Sequence, residues 1–242
     1  MNTAGIFENE FEYERTQSEY KRVKIICYLL AAGMLMGIAN NYLDFFGLQR
    51  FFKYKSSGYA ILIWLLFFFN YELIFLFLLK KYVKNKTSIN EGLKLVHTLI
   101  EISFPGILLF MLTIIEQRSV FLDAPYFIMY FMLIAISPLQ LNFRVSFLLG
   151  AMSALQYGFL TYYIYQYIIP ANGISVTMPA ASYYVRAILM LFTGAAAGFI
   201  AFEINKRVHN SFRQLLEKQK IINLFGQQVS REIVDELILR KD

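Results

Sequence analysis

The sequence predicts an all-α membrane protein, a polytopic bundle of six transmembrane helices with a helical extension. Of its 242 residues, 57% are hydrophobic and 17% are aromatic, which exceeds the usual content of soluble domains. Apolar runs of about 20 residues, enough to cross roughly 30 Å of hydrocarbon, recur between charged or Gly/Pro/Asn-containing breaks. These two observations favour membrane-spanning helices over a water-soluble core.

The apolar runs define the predicted domain organisation. The six predicted spans cover residues 22–46, 58–79, 93–115, 124–136, 143–168 and 183–204, and the fourth is the shortest and weakest. The predicted parts are an N-terminal segment 1–21, a membrane domain 22–204, a signalling helix 205–224 and a terminal segment 225–242. Because about twenty polar residues precede the first run, we expect it to remain a membrane helix and not to be a cleaved signal peptide.

Lysine and arginine are concentrated in alternate loops, and this predicts the orientation, since basic residues resist translocation. With the N-terminus inside, the basic residues of the cytoplasmic segments are Lys21, Arg22, Lys24, Lys80, Lys81, Lys84, Lys86, Lys94, Arg144, Lys206, Arg207 and Arg213. Those of the outer loops are Arg50, Lys53, Lys55 and Arg118. We therefore expect an integral plasma-membrane protein with both termini in the cytoplasm.

The net charge of +6 is explained by this topology and by attraction to anionic membrane lipids. We accordingly expect membrane lipids as partners and no nucleic acid. The one cysteine, Cys27, lies in the first predicted span, which excludes an intrachain disulfide and a cysteine-based metal motif.

Beyond the sixth span, residues 203–223 are strongly charged and contain neither Pro nor Gly, which predicts that the helix continues into the cytoplasm. Apolar residues in this stretch follow the alternating four- and three-residue spacing of a coiled coil when Gln219 fills one seam position. These residues are Val208, Phe212, Leu215 and Ile222. The pattern predicts a parallel homodimer, but it covers barely two heptads, so a merely amphipathic helix is the alternative.

Ionisable residues inside predicted spans are few, and each is a candidate site because an unpaired charge in hydrocarbon costs several kcal/mol. Glu72 and Glu101 are both placed roughly 10–12 Å below the cytoplasmic surface, at 1.5 Å per residue. His97 shares a helix face with Glu101, and Asn70 lies close to Glu72. The favoured interpretation is hydrogen-bonded helix packing; the functional alternative is a ligand, ion or proton site. Zinc would fit His97, Glu101 and Glu72 geometrically, but no metal is predicted.

A second polar group, Asn40, Asn41 and Asp44, lies at the outer end of the first span, at the level expected for Asp123 and Arg186. One hypothesis is an outer-side pocket for a lipophilic or small ligand. The favoured interpretation is interfacial capping together with a salt bridge to Arg186.

Small residues predict close helix packing in the last two spans. Gly194 and Gly198 are four residues apart, and Gly150, Ala154 and Gly158 have the same spacing in the fifth span. Residues this small let helix backbones approach closely. The two faces are expected to touch, either within one chain or across a dimer axis.

The signalling helix is predicted to end at Phe225-Gly226, and Ser230 is predicted to cap a short helix that follows. The stretch 224–237, which reads LFGQQVSREIVDEL, resembles the transducer segment that precedes the catalytic domain of bacterial class III adenylate and guanylate cyclases. Phe225, Gly226, Val229 and Ser230 carry the resemblance. Arg231 stands where the family usually has proline, a mild departure at a first helical turn.

The resemblance implies that the chain is the membrane anchor and regulatory or receptor domain of a dimeric, inner-membrane adenylate cyclase. The family's catalytic residues have no counterparts before Asp242, so no catalytic residue or cofactor is expected in this chain, whereas the parent enzyme would need Mg²⁺ or Mn²⁺. Two alternatives remain open. One is a small transporter or channel that uses Glu72, His97 and Glu101, and the other is the sensor of a diguanylate cyclase or a histidine kinase.

Overall fold

The computed structural model describes residues 3–43, 54, 56–116, 122, 125–172 and 179–228, and within these ranges the chain is helical and has no β-strand. The helices are α1 (Thr3–Leu43), α2 (Ser56–Lys84), α3 (Glu91–Glu116), α4 (Ile128–Ile136), α5 (Phe143–Tyr163), α6 (Ile169–Asn172) and α7 (Ala180–Gln228). Short 3₁₀ turns flank α4 at Pro125–Phe127 and Ser137–Gln140, and a π-helical turn, Ile164–Ile168, joins α5 to α6.

Five of these helices, α1, α2, α3, α5 and α7, are long and apolar enough to cross a membrane. Only 28% of the most apolar stretch of α1 and of α2 is buried, against 50% for α3. Large apolar side chains therefore cover the outside of the bundle, as expected for surfaces that face lipid and not water. The helix α3 is the most enclosed and lies at the centre of the core.

The fourth predicted span is the exception. The apolar helix in this region, Ile128–Gln140 with its 3₁₀ end, falls below the length of the other five. The α-helix ends at Ile136, where Ser137 N–H bonds to the Ile134 carbonyl in a 3₁₀ turn and Pro138 has no N–H to continue the α-helical pattern. The chain then turns at Leu141, whose φ of 56° is left-handed, before Asn142 caps α5.

The glycine faces of α5 and α7 pack against each other within one chain, which is one of the two alternatives that the sequence leaves open. A Cβ added to Gly150 would lie 2.5 Å from Gly194 Cα, a distance that no side chain tolerates. One added to Gly198 would lie 2.9 Å from the Phe143 ring. Glycine is therefore required at Gly150 and Gly194 by close backbone approach.

The last helix, α7, is continuous over 49 residues, so the helix predicted at 183–204 continues beyond residue 204, while its location in the cytoplasm stays a prediction. Its length is about 73 Å at 1.5 Å per residue. Gly226 does not end the helix, which continues to Gln228, because glycine lowers helix stability without forbidding it. Val229, Ser230 and Arg231 lie outside the described residues.

The α7 extension is in contact with the start of α1, where the Phe11 and His209 rings lie 5.6 Å apart. Along the predicted coiled-coil seam, Phe212 is partly buried and Leu215 is 59% exposed, while the helix backbone continues through Ile222. Pairing of two chains along this seam stays a prediction.

Candidate functional site

A buried ion-pair cluster joins α1 to α3, with Arg22 at its centre. The Arg22 side chain is fully buried. Its Nη1 and Nη2 donate to Glu101 Oε1 and Oε2 at 2.9 and 2.7 Å. Its Nε and Nη2 also donate to Glu19 Oε2 and Oε1, at 3.0 and 2.9 Å. The planar guanidinium thus binds two carboxylates in the bidentate geometry that suits it best.

The local sequence explains how this arrangement forms. Glu19 and Arg22 are three residues apart and share one face of α1. Glu101 lies in the middle of α3, the most buried helix, where its carboxylate needs a partner. Removal of one partner from such a pair typically costs about 3–5 kcal/mol, since the other charge is left buried and unpaired.

His97 and Glu72 extend the cluster toward α2. His97 Nε2 lies 3.6 Å from Glu72 Oε2 and 3.6 Å from Glu101 Oε2. The imidazole ring stacks on Phe75 with 3.5 Å between ring centroids, and its Nδ1 forms a 3.0 Å hydrogen bond with the Tyr71 hydroxyl. The ring is therefore held by its neighbours so that Nε2 points at the two carboxylates.

Several polar atoms of this group are buried without hydrogen-bond partners among the described residues. They are both carboxylate oxygens of Glu72 and Nε2 of His97. Glu72, His97 and Glu101 each offer one atom that can bind a metal ion, and these three atoms lie within 4.8 Å of one another. All three residues are buried. The arrangement could hold a cation between α2 and α3, or could share protons among the three groups.

The cluster is also connected to the turn that follows α4, which we name the 137–142 connector. Gln140 contacts Thr98 Oγ1 at 2.9 Å, and with its amide oxygen toward α1 it accepts from Arg22 Nη2 and Nε at 3.1 and 3.2 Å. Ser18 of α1 donates to the Leu139 carbonyl at 2.6 Å. The connector thus packs directly on the charged end of α1.

The structure brings together Glu72, His97 and Glu101, as the sequence predicts, but not Asn70. The Asn70 side chain is exposed and donates to the Leu66 carbonyl of its own helix at 2.8 Å. Two cluster members, Arg22 and Glu19, are absent from the predicted site, because the sequence predicts Arg22 among the basic residues of the cytoplasmic segments. The sequence signal that could have identified them is a glutamate three residues before an arginine, at a membrane depth similar to that of the Glu101 carboxylate.

At the opposite end of the bundle, Asn40 and Asn41 line a cavity of about 150 Å³ between α1 and α2, and Tyr126 also contributes to its lining. Asp44 and Asp123 lie outside the described residues. Arg186, a residue of α7, donates to the Leu122 carbonyl at 2.8 Å and lies over the Phe127 ring. The cavity is lined mostly by apolar groups and is small, which suits a ligand of only a few atoms.

No protein-family model, curated protein or solved structure matches this chain. Within the described residues, the fold and the site define a class: a helical protein with five helices long and apolar enough to cross a membrane, of which α1, α2 and α3 carry a buried ion-pair cluster.

Proposed function

We propose that this chain is the membrane regulatory domain of a signalling enzyme, a class III adenylate cyclase, and that it transmits its state through α7. The observation that carries the proposal is the continuity of α7. Its first half packs on α5 inside the bundle, and its polar second half extends beyond it. A continuous helix transmits rotation or displacement from one end to the other, which a flexible linker does not.

A chain of contacts supports coupling between the buried cluster and α7. The cluster reaches the 137–142 connector through Arg22 and Gln140. The next residue, Leu141, accepts a 2.7 Å hydrogen bond from Asn205 of α7. A change of charge or occupancy at the cluster would therefore act on α7 at the level where its polar half begins.

We further propose that the fourth predicted span, 124–136, completes a sixth crossing, so that both ends of the chain lie on one side. Support comes from contacts at either end of this stretch. The Leu122 carbonyl accepts from Tyr157 and Arg186, whereas Gln140 packs on Thr98 beside Arg22. A short span of this kind is tolerated when neighbouring helices shield it and the bilayer adapts.

The remaining parts of the proposal follow from charge and from the resemblance of residues 224–237. We propose that the end of the bundle with lysines at the end of α2 and the start of α3 faces the cytoplasm, and that the membrane is a bacterial inner membrane; the excess of basic residues there supports this orientation. The parent enzyme would be a homodimer joined along the α7 extension, since cyclase active sites of this family form between two catalytic domains. A small or lipophilic outer-side ligand would occupy the cavity beside Asn40.

Helix-phase insertions test the proposal. The chain is fused through Asp242 to a class III cyclase catalytic domain, and cyclic AMP production is measured in membranes. Two residues inserted after Arg213 turn the downstream helix by about 200°, whereas seven turn it by only about 20°. We expect the two-residue insertion to change the activity several-fold and the seven-residue insertion to leave it near that of the uninserted fusion.

Equal activity of both insertions and the uninserted fusion would overturn the proposal. Ion flux through the purified chain in liposomes, abolished by Glu72→Gln, would support the transporter alternative, which assigns no role to α7.

A further inference from the structure

We propose that Glu72, His97 and Glu101 bind one divalent transition-metal ion, with Zn²⁺ preferred over Mn²⁺. This site would connect α2 to α3 and, through the Glu101–Arg22 pair, to α1. Metal binding by these three side chains is independent of the proposed signalling role.

The distances in the cluster decide between a hydrogen bond and a metal site. His97 Nε2 lies 3.6 Å from a carboxylate oxygen of Glu72 and 3.6 Å from one of Glu101. A hydrogen bond between nitrogen and oxygen normally measures about 2.7–3.2 Å. Ligands on a tetrahedral zinc ion with bonds of 2.0–2.2 Å are separated by roughly 3.3–3.6 Å. The observed spacing is thus too long for a direct hydrogen bond and is compatible with two edges of a metal tetrahedron.

The unpartnered atoms point to the same conclusion. Both Glu72 oxygens and His97 Nε2 lack hydrogen-bond partners among the described residues, although Glu72 is completely buried and His97 is 2% exposed. Buried polar atoms without partners are rare in proteins because each costs about 1–3 kcal/mol. Since these atoms converge from two helices, one cation would satisfy all of them together.

Formal charge favours a divalent ion over a monovalent one. With a cation bound and all three carboxyls of the cluster ionised, Glu19, Glu72 and Glu101 would carry three negative charges and Arg22 one positive charge. A neutral His97 with a divalent ion brings the sum to zero. A buried cluster is stable only when its charges balance in this way.

The surroundings of His97 resemble those of a metal-binding imidazole. When Nε2 binds the ion, Nδ1 carries the proton and donates to the Tyr71 hydroxyl at 3.0 Å. Such an outer hydrogen bond holds the tautomer and orients the ring in most histidine metal sites. Glu101 shares its Oε2 with Arg22, and the second lone pair of this oxygen remains for the ion.

The donor set selects the class of metal. One imidazole nitrogen with two carboxylate oxygens suits Zn²⁺ and Mn²⁺, and lacks the thiolates that would select Cu⁺ or iron–sulfur chemistry. Zn²⁺ binds more tightly than Mn²⁺ at such sites. Three protein ligands leave a fourth position of the tetrahedron for water.

The test uses the full chain, purified in detergent and stripped with a chelator. It is then titrated with Zn²⁺ alone or Mn²⁺ alone, and bound metal is measured by calorimetry and by elemental analysis. We expect one Zn²⁺ per chain, weaker Mn²⁺ binding, and a higher thermal unfolding midpoint with Zn²⁺. X-ray absorption should show nitrogen and oxygen donors at about 2.0–2.2 Å. Sulfur in the first shell would overturn the assignment, since it would implicate Cys27.

Substitutions distinguish metal binding at this site from metal binding elsewhere in the chain. Glu72→Gln and His97→Gln should each weaken Zn²⁺ binding by more than about tenfold, and Tyr71→Phe, which keeps all three ligands, by about tenfold. Glu116→Gln, at a buried acid elsewhere on α3, and His209→Gln should bind like the wild type. Wild-type chain that retains no Zn²⁺ at micromolar concentrations would overturn the proposal. So would Zn²⁺ binding that all three cluster variants leave unchanged.

Discussion

Arg22 and Glu101, 79 residues apart in the sequence, form a bidentate ion pair in which neither side chain is exposed. The pair sets the rotation of α1 relative to α3, because a guanidinium that binds two oxygens at 2.9 and 2.7 Å tolerates little twist. Glu19, bound by the adjacent Nε–Nη2 edge of the guanidinium, and His97 beside Glu101 extend this constraint into one connected group.

Replacement of Arg22 by Met should therefore destabilise the fold strongly. The change leaves Glu19 and Glu101 buried without their cation, and the expected loss is about 3–5 kcal/mol in the free energy of unfolding. The measurement is denaturant-induced unfolding in mixed micelles. Lys21→Met, one residue before and exposed, is the matched control, for which we expect less than about 0.5 kcal/mol. Similar losses for the two variants would show that the ion pair does not contribute to stability.

Close contact between α5 and α7 predicts a sharp difference between two glycines of α5. Gly150→Ala places a methyl group 2.5 Å from Gly194 Cα and should cost about 1–3 kcal/mol as the helices separate. Gly158→Ala places its methyl group 4.0 Å from the Ala187 Cβ, which is an ordinary contact. Thermal unfolding should show a lower midpoint for the first variant and an unchanged or higher midpoint for the second. The opposite order would contradict the observed α5–α7 contact.

The hydrogen bond from Asn205 to Leu141 predicts a variant that alters signalling more than stability. Asn205→Ala removes a partly buried bond and should cost only about 1 kcal/mol. In the cyclase fusion we expect a change in cyclic AMP output, because α7 loses its link to the 137–142 connector. Asn210→Ala, exposed and five residues further along α7, should leave the output as it is. Unchanged cyclic AMP output from Asn205→Ala would show that the 137–142 connector does not couple the cluster to α7.

Much of the fold could be predicted from local sequence, because the length and apolarity of a run decide whether a helix can cross a bilayer. The five long helices and the continuation of α7 follow from such runs. The fourth apolar run differs, since it forms a short helix flanked by 3₁₀ turns that falls below the length of the other five. The apolarity of a run alone does not distinguish a full membrane span from a short helix that packs against neighbouring helices.

The candidate site was predictable only in part. His97 and Glu101 share a face of α3 at four-residue spacing, which the helical period determines. Glu72 is expected near them because Glu72 and Glu101 lie at the same predicted depth in the second and third spans. Asn70, only two residues from Glu72, points away from the cluster, since residues two apart on a helix face different directions.

The sequence by itself determined the class of the molecule, an all-helical chain with membrane-length apolar helices and a charged helical extension, because these are properties of contiguous residues. Only the tertiary structure decided that Arg22 belongs to the buried cluster and not to the basic residues at the membrane surface. The physical reason is that the environment of a charge is set by side chains distant in sequence. Glu101 and Gln140, from two other parts of the chain, surround the guanidinium and replace water.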